Sequence, residues 1–352
     1  EVRRSRKAAL ELMLSNHYAD CIGPCRFHCP AGIDIQGYVA LAALGKYEDA
    51  IRLIKQANPL PAVCGRVCTR PCEVNGCRRN LLDDPVGIDY IKRYVADLDL
   101  AGPQPWRPEP APRNGRRVAV IGGGPAGLSA AYYLALKGYA ATIFDALPEA
   151  GGMLRYGIPE YRLPKAVLDR EIAQILDLGV ELRTGVTLGR DITVAGLRRD
   201  GWDAVFLGIG AWDTAKMRVQ DEETPGVLPG IEFLREYGLR RAHRLPGRVL
   251  VVGGGNTAID CARTSLRLGA DEVRLLYRRT RAEMPANATE IEDAEHEGVI
   301  MDLLVAPTRV VVKDGRAAGL ECRRMRLGEP DASGRRSPVP VEGSEFVVEG
   351  DW

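Results

Sequence analysis

Seven of the nine cysteines in this chain fall between Cys21 and Cys77. They form two runs, Cys21-x3-Cys25-x3-Cys29-Pro30 and Cys64-x3-Cys68-x3-Cys72, with Cys77 following the second. Zinc sites favour C-x2-C pairs closed by a second pair. Three cysteines in series, with a proline after the third, are closer to iron–sulfur grammar, and separated runs can interleave so that one cysteine serves the other cluster. In a reducing compartment such density means metal more often than disulfide. Structural zinc and disulfides stay open as the competing readings. No C-x-x-C pair occurs anywhere, which argues against a redox disulfide of the thioredoxin-reductase kind. Cys261 and Cys322 stand alone and read as small packing residues.

Two glycine turns are the second chemical signal. Gly122-Gly123-Gly124-Pro125-Ala126-Gly127 lies between the apolar run Val118-Ala119-Val120-Ile121 and a helical pattern, and Asp145 closes the next apolar run. In such a G-x-G-x-x-G turn Gly122 makes the tight bend, Gly124 lets backbone approach a pyrophosphate, and Gly127 lets helix pack on sheet. The phosphates sit on the N–H groups of the helix start, beside Pro125 and Ala126, and Asp145 is placed to hold a ribose hydroxyl. Near 250 the unit repeats: Val249-Leu250-Val251-Val252, then Gly253-Gly254-Gly255-Asn256-Thr257-Ala258, a helix, and Val273 to Tyr277. Here Arg278 and Arg279 stand where an acid would close the second strand. A carboxylate repels a 2′-phosphate whereas guanidiniums pair with it, so this turn predicts NADPH rather than NADH. A solvated surface pair is the plain alternative for the two arginines. Two such folds have a chemical logic, one holding a flavin and the other delivering a nicotinamide to it. Gly208-Ile209-Gly210-Ala211, after the strand Ala204 to Leu207, adds a further small-residue turn, with Gly210 able to meet the flavin diphosphate.

The elements that must position these groups are legible in outline. Ala8 to Leu14, Ile35 to Leu44 and Tyr47 to Ala57 carry helical spacing around the cysteines. Gly102 to Pro112 holds five prolines in eleven residues and predicts a stiff extended connector. Beyond it the texture changes to strand, turn and helix, with β segments at Thr308–Val312 and Leu320–Met325 near the end. The 352 residues are enough for two or three domains. Lys and Arg number 48 against 47 Asp and Glu, so no global basic surplus draws the chain to nucleic acid or an anionic membrane. The apolar stretch Val118–Leu136 is broken by Gly122–Pro125 and reads as a buried strand-turn-helix, not a membrane span. No signal-peptide core follows the charged start, and a cytoplasmic protein is expected.

Gly151-Gly152-Met153-Leu154, Gly157-Ile158-Pro159, Arg162-Leu163-Pro164, Tyr277-Arg278-Arg279 and Glu283-Met284-Pro285-Ala286 narrow the body. With the cysteine front end, they resemble the small subunit of bacterial glutamate synthase and its relatives, the N-terminal half of dihydropyrimidine dehydrogenase and the large subunit of NADH-dependent ferredoxin:NADP oxidoreductase. The resemblance implies a helical domain with two [4Fe–4S] clusters ahead of an FAD domain interrupted by an NAD(P) domain. It adds Gly152, Leu154 and Arg162 to the cofactor contacts. It assigns Cys29, Cys68 and Cys72 to one cluster and Cys21, Cys25 and Cys77 to the other, with Cys64 kept less regularly in the family. Two cysteine-only clusters need eight ligands and seven are here. The cysteine that the family often carries three residues ahead of the first run is Tyr18, and a glutamine or glutamate ligand of some members falls near Lys92. Leu10 to Cys21 resembles the iron–sulfur subunit of respiratory complex I, in which a histidine at the place of His17 is a cluster ligand; a helix-end role for His17 competes with that. His28 is expected to be a supporting donor or exposed. The family returns to its FAD domain after the point reached at Trp352, and the complex I resemblance allows an upstream ferredoxin-like domain, so a piece of a longer polypeptide is expected.

The expectation is therefore an α/β chain with an all-α N-terminal domain: a helical [4Fe–4S] domain over 1–112, the first part of an FAD domain over 113–225, and an NAD(P) domain over 226–352. Electrons would run between NADPH, FAD and two [4Fe–4S] clusters, to or from a redox partner subunit or domain in a hetero-oligomeric complex. That partner could be a glutamate synthase large subunit, ferredoxin, or a formate dehydrogenase or hydrogenase assembly, and NAD is the alternative nucleotide. The rival reading is a structural subunit with degenerate nucleotide folds.

Overall fold

A computed structural model of the protein describes residues 1–15, 21–241 and 244–352. The chain divides into two compact units, Glu1–Glu109 and Pro110–Trp352.

The first unit is helical: α1 (Val2–Ser15), α2 (Pro24–Phe27), α3 (Ile35–Ala43), α4 (Tyr47–Lys55), α5 (Pro61–Val67), α6 (Pro71–Val74) and α7 (Ile88–Ala101). Proline opens α2, α5 and α6, where its missing N–H has no intrahelical partner to lose. Asp34 caps α3 by accepting from the Gly37 N–H at 3.1 Å. α4 buries Ala50, Ile51, Ile54 and Lys55, one stripe at helical spacing. Tyr38, Val63, Val95 and Leu100 are also buried in the core of this unit. Tyr38 crosses it to donate to the Ile88 carbonyl at 3.0 Å.

The Pro-rich segment is anchored at its start as well as stiff. The Trp106 N–H donates to Asp99 at 2.7 Å, and its carbonyl accepts from buried Lys55 at 2.9 Å. Lys55 also pairs with Asp99 at 2.8 Å, so one buried ion pair clamps both helix α7 and the chain leaving it.

The second unit holds three sheets. In the first, β1 (Arg117–Ile121), β2 (Ala140–Phe144), β3 (Glu181–Arg183) and β4 (Ala204–Leu207) pair in parallel in the order β3-β2-β1-β4. Helices α8 (Pro125–Leu136), α9 (Met153–Tyr156), α10 (Lys165–Leu176) and α11 (Val194–Arg199) connect or flank it. Four of the five β1 residues are buried, which is why that strand is a continuous apolar run. After α12 (Gly230–Gly238) comes the second parallel sheet: β5 (Arg248–Val252), α13 (Asn256–Arg267), β6 (Glu272–Tyr277), α14 (Ala288–His296) and β7 (Ile300–Leu303), in the order β5-β6-β7.

The third sheet is larger than the two short β segments expected. β8 (Val305–Lys313), β9 (Arg316–Pro330) and β10 (Arg336–Glu349) form an antiparallel meander. Alternate residues Leu320 and Cys322 of β9, and Phe346 and Val348 of β10, join Val310 in a core shared with Leu276. That alternation is diluted by the register shifts between Pro340 and Glu345, which break the period in the sequence. Past β10 the backbone of Asp351 and Trp352 runs along β5: Asp351 N–H donates to Arg248 at 2.8 Å and Leu250 N–H to Trp352 at 2.9 Å. Among the described residues no helix is long and apolar enough to cross a membrane.

Candidate functional site

Strand β1 ends at Ile121 and the chain bends at Gly122, φ +104°, into α8. A Cβ on Gly127 would lie 1.8 Å from the Gly122 carbonyl oxygen, so helix and strand meet at a distance only glycine permits. The α8 N-cap, Gly124, offers no side-chain cap, and Pro125 and Ala126 are exposed, so the helix start is open for an anion. Asp145 is buried; its two oxygens accept from Gly123 N–H at 2.6 Å and Leu147 N–H at 2.7 Å. It thus ties the turn to the end of β2 and keeps lone pairs free for a hydroxyl. Gly152, φ +52°, packs on the same turn, since a Cβ there would stand 2.7 Å from the Gly124 Cα. Leu154 is buried beneath it, and Gly210, φ +73°, is exposed beyond β4. Three glycine segments thereby leave bare backbone around one helix N-terminus, a cradle that fits a dinucleotide diphosphate.

The second turn repeats this between β5 and α13. Gly253 has φ +140°, Gly255 caps α13 without a side-chain bond, and open space lies where a Gly255 Cβ would point. Gly254 lies against the Tyr277 ring, and Asn256 accepts from the Asn287 N–H at 2.9 Å, so both sides of the turn are braced. Thr257 is exposed at the helix start. A cavity of about 960 Å³ adjoins Gly253, Gly255 and Thr257, at the upper end of small-molecule sites.

The arginine pair splits. Arg278 is exposed at the end of β6. Arg279 departs from the expectation of a phosphate ligand: it is 5% exposed, and its guanidinium is taken by Asp331 at 2.5 Å and the Arg336 carbonyl at 2.7 Å. The meander had no visible link to residue 279 in the sequence, yet its turn neutralises that charge. Arg162 also has partners. Its side chain is buried and engaged by Asp260 at 2.7 Å and Glu290 at 3.0 Å, so it bridges the two nucleotide folds.

Sequence reasoning missed the rest of that bridge. Arg263 of α13 pairs with Glu290 and Glu297 of the α14 region, and the Tyr161 ring lies 4.6 Å from Arg263 and 3.9 Å from Arg267. Burial pushes the Asp260 carboxyl up to about 6, with Arg162 offsetting only part of that. Lys165 donates to the carbonyls of Leu154, Ile158 and Leu163 at 3.0, 2.6 and 3.1 Å, pinning the loop that carries Arg162. Burial lowers its pKa to about 8. The only signal was the charge density of 155–170 and 260–267, which does not say what pairs with what.

In the helical unit none of the seven cysteines is joined in a disulfide. Gly76 packs the two runs together, its Cβ direction 2.8 Å from the Cys25 Cα and 3.0 Å from the Cys72 carbonyl. Burial raises the Cys25 thiol, with Cys77 among its charged neighbours. Burial, then Glu73 and Cys68, push Cys72 up to about 12, and Cys29 acts in the same sense. So Cys25 neighbours Cys77, while Cys29 and Cys68 neighbour Cys72. Backbone N–H groups point at two sulfurs, Arg70 to Cys68 at 3.3 Å and Val86 to Cys77 at 3.5 Å, as donors around a cluster do. Cys64 instead faces Asn58 at 3.7 Å, and Cys21 is exposed. Among the described residues no three His, Cys, Asp or Glu groups gather tightly enough for a single metal ion. Seven thiols in two runs supply the donor chemistry that iron–sulfur clusters take. His17 and Tyr18 lie outside the described residues. His28 is exposed and contacts the Pro24 carbonyl at 2.8 Å.

Comparison with known proteins agrees with both units. The family described as pyridine nucleotide-disulphide oxidoreductase matches residues 116–329, and that described as dihydropyrimidine dehydrogenase domain II, 4Fe-4S cluster, matches residues 14–102. The NADP(+)-dependent formate dehydrogenase subunit beta of Moorella thermoacetica is 49% identical over 93% of this chain and 50% of its own length. The NADPH-Fe(3+) oxidoreductase subunit beta of Geobacter sulfurreducens is 48% identical over 93% of this chain and 49% of its own. The glutamate synthase [NADPH] small chain of Escherichia coli is 38% identical over 93% of this chain and 72% of its own. The chain thus spans about half the length of the first two. In fold, FprA from Mycobacterium tuberculosis superposes with a TM-score of 0.57 over 68% of this chain and 69% of its own, at 19% identity. A 4Fe–4S front end on a body built for FAD and NADP places the chain in the glutamate synthase small-chain family of pyridine nucleotide-disulphide oxidoreductases.

Proposed function

We propose that this chain is the electron-relay module of a larger cytoplasmic enzyme, built as a helical iron–sulfur domain over 1–112, a flavin domain over 113–225 and an NADPH domain over 226–352. Gly122, Gly124, Pro125, Ala126 and Gly127 hold the FAD diphosphate on the α8 N-terminus, with Asp145 on the ribose and Gly152, Leu154 and Gly210 lining the approach. Gly253, Gly254, Gly255, Asn256 and Thr257 hold NADPH on α13, and Arg278 receives its 2′-phosphate. Cys29, Cys68 and Cys72 bind one [4Fe–4S] cluster and Cys21, Cys25 and Cys77 a second, Cys64 and His17 being the remaining candidates for ligands.

The chemistry itself, paired-electron exchange with the nicotinamide and single-electron exchange with the clusters, is supplied by the bound groups. The chain's residues bind, orient and neutralise. The observation that carries the reading is the asymmetry of two like turns: each opens an uncapped helix, but one is closed by an acid, Asp145, and the other by an exposed arginine, Arg278. The partner is a redox subunit or domain, in keeping with relatives that are themselves subunits.

The test is anaerobic titration of the protein with NADPH and then NADH, followed by visible absorption and EPR. Flavin bleaching and a reduced-cluster signal at lower NADPH than NADH are expected. Flavin-free protein without an EPR signal would overturn the relay in favour of a structural subunit.

A further inference from the structure

We propose that Arg70 is a positioning residue: its left-handed backbone aims an amide N–H at the Cys68 sulfur and so raises the reduction potential of the cluster that Cys68 binds. The inference rests on the assignment of Cys68 as a cluster ligand made above.

Cys68 closes α5 in an extended conformation and Arg70 opens α6, so the chain turns sharply from one helix into the next. Arg70 makes that turn at φ +57° and ψ +45°. Among the described residues of the helical unit, it alone has positive φ without being glycine. The conformation is disfavoured twice. The Cβ of an L-residue crowds it, and Pro71 pushes the residue before it toward extended backbone. What the turn gains is two sets of contacts. The Arg70 N–H donates to the Cys68 Sγ at 3.3 Å, and the Arg70 carbonyl accepts from the Glu73 and Val74 N–H groups at 2.9 and 3.1 Å.

Helix α7 braces the turn from the side. The Arg70 guanidinium carbon lies 4.3 Å from the centre of the Tyr90 ring, and its Nε lies 3.5 Å from the buried Asp89 carboxylate. Glu73 accepts from the Asp89 N–H at 2.7 Å, so α6 is tied to the same end of α7. Glycine would reach this backbone without strain but would bring none of the side-chain anchors. An arginine held in a glycine conformation by its own side chain fixes the direction of a peptide. Hydrogen bonds to the sulfurs are among the factors that set a cluster's potential. Each added electron makes those sulfurs more negative, so a fixed N–H stabilises the reduced state more than the oxidised one. Val86 gives Cys77 an N–H at 3.5 Å from backbone that is not left-handed, so the strained donor serves one cysteine run only.

The experiment uses the whole chain, prepared anaerobically, as wild type, Arg70→Gly, Arg70→Asn and Arg70→Val. Iron and sulfide per chain are measured first, then midpoint potentials by EPR-monitored titration. All three variants lose the guanidinium, so its charge cancels between them. They differ in the left-handed region, which glycine and asparagine accept and β-branched valine does not. Arg70→Gly and Arg70→Asn should share one potential. Arg70→Val is expected to shift the one-electron equilibrium of one cluster tenfold toward the oxidised state, about 59 mV lower. Equal potentials in the three iron-replete variants overturn the proposal. If Arg70→Val does not hold its iron, pulsed EPR of reduced protein carrying nitrogen-labelled arginine decides instead. The coupling of labelled nitrogen to the cluster should weaken in Arg70→Lys, which keeps the cation and removes the label from that peptide. A coupling unchanged in Arg70→Lys overturns the proposal. Cys68→Ala reports separately on the ligand assignment. Unchanged iron there would sink that reading, whereas equal potentials beside an iron-depleted Cys68→Ala sink only the role of Arg70.

Discussion

A Cβ placed on Gly127 comes within 1.8 Å of the carbonyl oxygen of Gly122. The obstacle is backbone at the mouth of the first nucleotide turn and cannot rotate aside. Gly127→Ala is therefore expected to push α8 off β1, costing about 1–3 kcal/mol as overpacking does, and to release flavin. Ala258→Gly at the equivalent place of the second turn should leave flavin content unchanged, because Ala258 already fits there, 3.2 Å from the Cβ direction of Gly253. Thermal denaturation with flavin absorbance checks both.

Arg278 and Arg279 should behave differently although they are adjacent. Losing exposed Arg278 removes a charge-assisted contact worth about 1.5–3 kcal/mol. Arg278→Ser is expected to weaken NADPH about tenfold to a hundredfold and NADH little. Arg279→Ser leaves Asp331 without its buried partner and should lower the melting temperature while affecting both nucleotides alike. Equal nucleotide losses in Arg278→Ser would remove that residue from the 2′-phosphate site.

Asp260 makes stability depend on pH with a definite sign. Its carboxyl titrates near 6 when folded and near 3.9 when unfolded, so the native state holds its proton more tightly across that interval. Stability attributable to this group falls as pH rises from about 4 to about 6. Asp260→Asn carries no such proton, so, whatever it loses in pairing with Arg162, its stability relative to wild type should be greater at pH 7 than at pH 4 by up to about 3 kcal/mol. Chemical denaturation of both proteins at pH 7, 5 and 4 measures the difference directly, and a constant difference would contradict it.

Much of this was legible because it is local. Val118 to Ile121 followed by Gly122 to Gly127 states strand, turn and helix within ten residues, and the glycine spacing carries its own steric reason. The cysteine runs announce metal in the same local way. The carboxylate partners of Arg162 and Arg279 were illegible for the opposite reason. An arginine beside a glycine-rich motif looks like a cofactor ligand until its partners are known, and those partners, Asp260, Glu290 and Asp331, lie far along the chain. The β9–β10 hairpin hid because its register shifts interrupt the alternation that would have marked it. Lys165 shows the same limit, since its three acceptors are backbone carbonyls, which every residue possesses.

Arg162 belongs to the loop pinned below the first nucleotide turn, and Asp260 lies little more than one turn into the helix that opens the second. The two loading sites are therefore joined by a rigid strut. Linkage then works in both directions: whatever factor flavin occupancy contributes to nicotinamide affinity through this strut, nicotinamide occupancy must return to flavin. Any such coupling would be read as a change in affinity at one site on filling the other.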